Sequence, residues 1–438
     1  METSTPPPLP VRPSRARLWP WIVGPALVVL VALAIWSLDE PPPDVSDLVF
    51  EPLQLTDEEN AYVQLTQVAQ LLARLTPDES LDELEDFSSG KEWDDAKVTA
   101  WLSPLDTVWP QYEAAAKISR SQGRILTSPD TLVPEIGQMM ELARFSVLRA
   151  RSLLKKDRPD DALRIAVTSL EAGRLLQESR SSLICYLTGV AIQTQAFILI
   201  QHAGRHPDVS TDALRESIAA LERNRVGTDA LGYAFRSELQ FYDGAISMLA
   251  REHAGGRMAL AVPGLYKPNK TRRIYAELLR ESLRVIGRDI HEINQAKHNT
   301  QVLFNQLRHR SPENFVGRIL LNIIVPTFSS ITERHSWTAT QVSMTQALLA
   351  VRIHEKEKGE LPASLAELTP AILPGTPKDY YDHTDIKYSR EFGFIWSVGR
   401  DNLVITSADQ VIDKFGVTLR IRPKPPEPEE TLDGIFDR

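Results

Sequence analysis

The side chains that could do chemistry fall into a few groups. Asp379, Asp382, Asp385 and Asp401 set four carboxylates along one stretch near the C-terminal end, and carboxylate oxygens suit a hard cation such as calcium. His202 and His206 are four apart and His291 and His298 seven apart, spacings that put each pair on one helix face. Gly204 and Pro207 close the first of those helices, and no acid next to either pair completes a third ligand. Residues 264–271, GLYKPNKT, have the outline of a phosphate-binding loop, but Asn269 replaces its second glycine, Pro268 stiffens the bend and no strand precedes it. The segment reads instead as an ordered turn that opens a helix, with Lys267 and Asn269 capping it or bridging to a neighbour. Arg272, Arg273, Arg280, Arg284 and Arg288 then form a basic stripe, interleaved at salt-bridge spacing with Glu277, Glu281, Asp289 and Glu292, which reads as a solvated face.

No serine nucleophile elbow, HExxH pair or catalytic cysteine setting is present, so no catalytic residue and no cofactor is assigned. The single cysteine, Cys185, excludes an intramolecular disulfide and a cysteine-based zinc cluster.

The elements that position these residues begin with an apolar run. Twenty-one residues, LWPWIVGPALVVLVALAIWSL, carry no charged side chain; the run opens at Leu18 and closes at Leu38. About 20 apolar residues at 1.5 Å rise cross a hydrocarbon core of roughly 30 Å. Trp19 and Trp21 at one end and Trp36 at the other suit the two interfacial belts, and Pro20 and Pro25 sit near the start, where a helix tolerates them. Arg12, Arg15 and Arg17 precede the run and Asp39, Glu40, Asp44 and Asp47 follow it. The positive-inside rule therefore predicts a single-pass helix with a cytoplasmic N-terminus and an extracytoplasmic body. A cleavable signal peptide ending at Ala32-Leu33-Ala34 is the alternative. The uncharged run 181–201 contains Gln193, Gln195 and several hydroxyls, costly in lipid, and is expected to be the central helix of a bundle with Cys185 packed inside.

The net charge of −9 is local. Residues 39–106 hold eighteen acids against Arg74, Lys91 and Lys97, while the rest is near balance. This predicts a solvated, acidic, membrane-proximal stem.

The expected order is a disordered tail (1–17), the transmembrane helix (18–38), a linker (39–55), an α-helical domain (56–335), an α+β module (338–422) and a disordered tail (423–438). Thr56 with Glu59 predicts the first N-cap. Apolar stripes predict helices over 94–102, 109–121, 183–203, 211–223, 229–254, 272–308 and 338–358. Two stripes between Pro134 and Glu178, joined by the turn 155–160, predict a helical hairpin similar to a tetratricopeptide unit, with Ala150 and Ala162 at its close contact; no second copy follows. The run 319–328 reads as core. Period-two segments at 386–389, 392–397, 403–406 and 417–421 predict short strands. The fold class is thus mainly α, with a small α+β end.

Residues 345–401 resemble the globular module of the major pseudopilin of type II secretion systems. The matching residues are Ala350, Gly359, Leu361-Pro362, Ser364-Leu365, Leu368, Leu373-Pro374, Pro377, Asp379, Tyr388, Gly393-Phe394, Ser397, Gly399 and Asp401. The resemblance implies a helix, a Leu-rich turn, a Pro-Xaa-Asp bend and a small antiparallel sheet. Departures are a missing prepilin peptidase site, some 300 intervening residues, and Asn402-Leu403 where that family's calcium loop continues with acid and glycine. Lys267, Asn269 and Thr271 of a Lys-Pro-Asn-Lys-Thr segment, with Asn314 and Arg318 of an Asn-Xaa-Xaa-Gly-Arg segment, resemble motifs of an uncharacterised family of signal-anchored bacterial envelope proteins. Together these imply an inner-membrane, envelope-anchored interaction or scaffold protein, linked to secretion or pilus-like machinery, with the bilayer and other proteins as partners and no nucleic acid. An extracytoplasmic hydrolase or ligand-binding enzyme, its site assembled from the helical domain, is the alternative.

Overall fold

The computed structural model describes residues 19–76, 79–128, 131, 133–252, 264–307, 313–324, 326–400, 403–405 and 417–422; among these, the side chains of 19–22, 79–82, 249–252, 303–307, 322–324, 326–327 and 329 are not described. The expected tails, and the side chains of Trp19 and Trp21, lie outside that set. The fold is mainly α: 66% of it is helix and 3% strand.

The helices are α1 (Trp19–Ser37), α2 (Ala61–Leu75), α3 (Glu79–Ser89), α4 (Asp95–Ala116), α5 (Pro134–Leu154), α6 (Pro159–Gln177), α7 (Leu183–Gly204), α8 (Thr211–Arg223), α9 (Thr228–Glu252), α10 (Pro268–Arg284), α11 (Ile290–Leu307), α12 (Phe315–Ile324) and α13 (Pro326–Lys358). Strands β1 (Lys387–Ser389), β2 (Phe394–Trp396) and β3 (Thr418–Arg420) form one antiparallel sheet in that order. The expected strand around Leu403 is absent from it; Leu403 and Ile405 instead pack beside Phe394 and Trp396.

Several boundaries depart from the sequence reading for identifiable reasons. Asn60, not Thr56, caps α2, its carbonyl accepting the Tyr62 N–H at 3.1 Å. The two helices expected over 94–121 are one, α4, which runs through Pro104 and Pro110. Each proline forfeits one N–H, while Leu105, Val108, Trp109 and Tyr112 bury their side chains along the same face. Conversely, the single helix expected over 272–308 is broken by Gly287 at φ 74° into α10 and α11.

Two apolar cores organise the body. The first joins α2–α8 to the latter part of α13 and to Leu365, Ile386, Ile395 and Leu419 of the C-terminal unit. The second joins Val45 and Leu48 to the start of α7, to α9, α10, Leu321 of α12 and the start of α13. Helices α7 and α13 pass through both. The boundary expected at 335–338 therefore falls inside α13, a continuous 33-residue helix that packs on α7 and α8. Arg225 reinforces the join, donating to the Ala339 carbonyl (3.3 Å), Gln346 (3.2 Å) and the Tyr380 hydroxyl (3.2 Å).

Among helices with described side chains throughout, α7 has the length and composition to cross a membrane, while Val23–Ser37 of α1 is apolar but shorter; yet 72% of the α7 window is buried in the body, and Cys185 is 1% exposed. Gln193, Gln201 and Tyr186 are held by neighbouring helices. Gln193 accepts from Gln177 (2.8 Å) and donates to the Leu170 and Asn224 carbonyls (3.3 and 3.2 Å). Gln201 donates to Thr345 (2.9 Å), and Tyr186 shares a 2.8 Å hydrogen bond with His335. Helix α6 crosses α7 at Gly173 and Gly189. A β-carbon on Gly189 would lie 2.5 Å from the Gly173 carbonyl oxygen, so only glycine permits that approach. By contrast α1 is apolar on every described face and rests against nothing along most of its length: Leu27, Val28, Leu30 and Ile35 are each 60% exposed or more.

Two outcomes follow. Gly189→Ala should lower stability by about 1–3 kcal/mol through overpacking, measured by urea denaturation. Burial pushes the His335 imidazolium down to about 4 from an ordinary 6.5. The unfolded chain therefore binds the extra proton first as pH falls. This group's contribution is full above pH 6.5 and is lost towards pH 4, by up to about 3 kcal/mol. Glu238, raised by burial to about 7, contributes with the opposite sign, so the measurement is the difference in denaturation between the parent chain and His335→Gln, which should shrink as pH falls from 6.5 to 4.

Candidate functional site at the stem clamp

The residues 267–271 and 314–318 form one joint. Pro268 starts α10, where its missing N–H costs nothing, with Lys267 at the N-cap position. The Asn314 carbonyl accepts the Lys267 N–H at 2.9 Å, and its amide donates to the Thr271 hydroxyl at 3.0 Å, which in turn donates to the Lys267 carbonyl at 2.8 Å. Asn314 sits at φ 51°, a left-handed conformation asparagine tolerates, and its own N–H meets the Gly264 carbonyl at 2.8 Å. Gly317 is required because a β-carbon there would collide with Thr271 and Asn314. Glu313 binds both Lys267 (3.0 Å) and Lys270 (2.9 Å), and these amines hold its carboxyl below the ordinary value. The Arg318 guanidinium lies over the Phe315 ring at 5.9 Å.

The stem docks onto this joint. Asp39 accepts the N–H groups of Asn269 (2.7 Å) and Lys270 (3.2 Å), acting as the anionic cap of α10 from 230 residues away. The Asn269 side chain donates to the Glu40 carbonyl at 2.7 Å. Glu40 pairs with Arg273 (2.6 Å) and Asp47 with Arg280 (2.6 Å). The hydrogen bonds from Arg273 and Arg280 hold the Glu40 and Asp47 carboxyls below their ordinary values. Below them, Val45 and Leu48 are buried in the second core and Phe50 sets its ring edge-on to Tyr233. The stem acids and the basic stripe remain partly exposed, as expected of a solvated face, but they are joined: opposite charges and a free helix end draw the two together. The acids and the arginines were each visible in sequence; the only hint of their pairing was the shared spacing of seven, Glu40 to Asp47 and Arg273 to Arg280.

Of the four acids that could offer oxygens to a cation, the three described ones are engaged within the fold. Asp379 is fully buried, its oxygens accepting from Tyr381 N–H (3.0 Å), Thr340 hydroxyl (3.4 Å) and Val398 N–H (2.8 Å). It fastens the Pro-Xaa-Asp bend to α13 and to the end of β2. Asp382 closes a turn onto the Thr384 N–H (2.9 Å), Asp385 pairs with Lys378 (2.5 Å), and Asp401 lies outside the described residues. Among the described residues, the one trio of potential ligands within 4.8 Å of one another is Asp157, His206 and Asp208. His206 thus meets acids that sequence adjacency did not supply for Asp157, although His202 does not join it. The His206 Nδ1 accepts the Asp208 N–H at 3.2 Å, which leaves a proton on Nε2 of the neutral ring, facing Asp157 rather than a metal. His291 and His298 are exposed on α11.

No family model, curated protein or solved structure matches the chain.

Replacing Asp39, Glu40 and Asp47 together by their amides should release the stem. Solvent-exposed pairs contribute about 0.2–1 kcal/mol each, so amide exchange over residues 38–48 should quicken several-fold without global unfolding. The same release should occur on acidification. Docking is complete above the ordinary carboxyl values of 4.5 and 3.8 and is lost as pH falls through the lower values held in the clamp.

Proposed function

We propose that the chain is a membrane-anchored extracytoplasmic interaction or scaffold protein of the bacterial inner membrane, with α1 as its single span. One observation carries the reading: an apolar helix unpacked on every described face leads, through Leu38, directly into a stem pinned to a folded body. Eight large apolar side chains on α1, from Val23 to Ile35, stand 45% exposed or more. Leaving them in water forfeits on the order of 10–20 kcal/mol, comparable to the whole stability of a domain. A bilayer removes that penalty. Trp36, at the far end of α1, suits the interface beside the body.

The C-terminal unit supports a link to secretion or pilus-like machinery. After α13 come a Leu-rich turn (Leu365–Leu368), the Pro377-to-Asp379 bend and a three-stranded antiparallel sheet, the order the pseudopilin resemblance implies. The edge strand β1 offers main-chain pairing to a partner. The cleft between α10, α11 and α13 has an empty volume of about 350 Å³ including its open mouth, and its lining is half apolar and half polar, the polar half being Glu281, Lys297, Ser282, Thr300 and Thr332. It does not gather the histidines and carboxylates an enzyme reading calls for.

In bacterial cells the full chain should resist alkaline extraction from membranes, and deletion of 18–38 should release it. Protease added outside spheroplasts should digest the body. Full protection of the body would overturn the topology.

A further inference from the structure

Helix α12 presents large apolar side chains outward beside the end of α1. Phe315 is 51% and Ile319 45% exposed; four residues apart, they share one face, while Leu321 on the opposite side is fully buried in the second core. Among the described residues outside α1 and Leu38, few large apolar side chains are so exposed, and of these only Phe315 and Ile319 share a helix face. The joint locates them. Gly264 packs so closely on the Trp36 ring that a β-carbon would collide with it, and the Gly264 and Leu265 carbonyls accept the Asn314 and Val316 N–H groups at 2.8 and 3.0 Å. The first turn of α12 is therefore fixed next to the tryptophan that ends α1.

We propose that α12 is a second membrane contact, an interfacial helix whose Phe315 and Ile319 insert into the same bilayer that α1 spans. This rests on the anchor reading and extends it. The occupant follows from continuity. If α1 spans, Trp36 lies at headgroup depth, and a rigid joint holds the exposed face of α12 at that level. The acids that would repel an anionic surface there are already paired: Asp39 on the α10 amides, Glu40 on Arg273 and Glu313 on two lysines. The body is then fastened to the membrane at two places, which sets its orientation as well as its location.

The test uses the full chain in phosphatidylcholine–phosphatidylglycerol vesicles, with single cysteines labelled by an environment-sensitive fluorophore and quenched by doxyl-labelled lipid. Cys185 is buried, and Cys185→Ala removes its background. Val29→Cys reports the anchor, Phe315→Cys and Ile319→Cys report α12, and Val404→Cys, 74% exposed, serves as the aqueous reference. All four positions are at the surface, so the substitutions leave the core intact. Lipid quenching at 29, 315 and 319 several-fold above that at 404 is the expected result. Quenching at 29 with 315 and 319 equal to 404 would overturn the α12 contact and leave the anchor standing. Equality of 29 with 404 would remove the anchor, and with it the basis for the α12 contact.

Discussion

A helix buried on all sides has no water to satisfy its polar groups, so every amide and hydroxyl it carries must find a partner in the protein or cost about 1–3 kcal/mol. Helix α7 comes close to that case, with 72% of its apolar window inside the body, and its neighbours supply partners for Gln193, Gln201 and Tyr186. Its glutamines reach α6, the Asn224 carbonyl and α13; its tyrosine reaches His335. Those bonds specify which helices flank it and in what register. The Gly173–Gly189 crossing brings α6 close enough for the Gln177–Gln193 bond to form. Because α7 runs through both cores, neither can form without it, and the C-terminal unit is tied in through α13 rather than appended.

The stem obeys a different logic. Its ion pairs are partly exposed, and each is worth little by itself. They act together with an anionic cap on α10, two buried apolar side chains and a ring contact, along a segment whose far end is held to the body through Asn60. Ordering a short tethered segment costs less entropy than recruiting a free one. Segregating acids near the start of the chain and arginines on α10 thus gives a specific long-range contact, although the whole chain carries only a modest net charge.

What was legible in the sequence follows this division. Local periodicity set α5, α6 and α8 to within a residue or two, and the uncharged run did the same for α7, each being bounded by clear turn residues. It failed where tertiary packing overrides local rules: in α4, whose buried face outweighs two prolines, and at 335–338, where a polar-looking segment, Thr338, Thr340, Gln341, Thr345 and Gln346, is buried against α7 and α8. The motif residues Lys267, Asn269, Thr271 and Asn314 were visible as a set, but their partner was not. Nothing local in Asp39 tells that it will cap a helix that begins at Pro268. Asp379 shows the converse: an acid in a turn reads as solvated, yet it is fully buried, with backbone N–H groups and one hydroxyl taking up its oxygens.

Helices α1 and α7 are both long, uncharged and apolar, and mean hydropathy and length do not tell their roles apart. Their polar inventory does. Between Val23 and Ile35, α1 carries no side chain able to form a hydrogen bond, and Gly24 has nothing within 4 Å of where a β-carbon would stand. It has neither the hydrogen-bonding groups nor the close-packed glycine contact by which α7 engages its neighbours. A helix so equipped gains nothing specific from a protein partner and loses nothing in a medium without hydrogen bonds, which is the physical basis of the proposed anchor. The clamp then matters because such a helix cannot orient the body by itself. Orientation has to come from polar contacts at its end, where Asp39 and Glu40 make them.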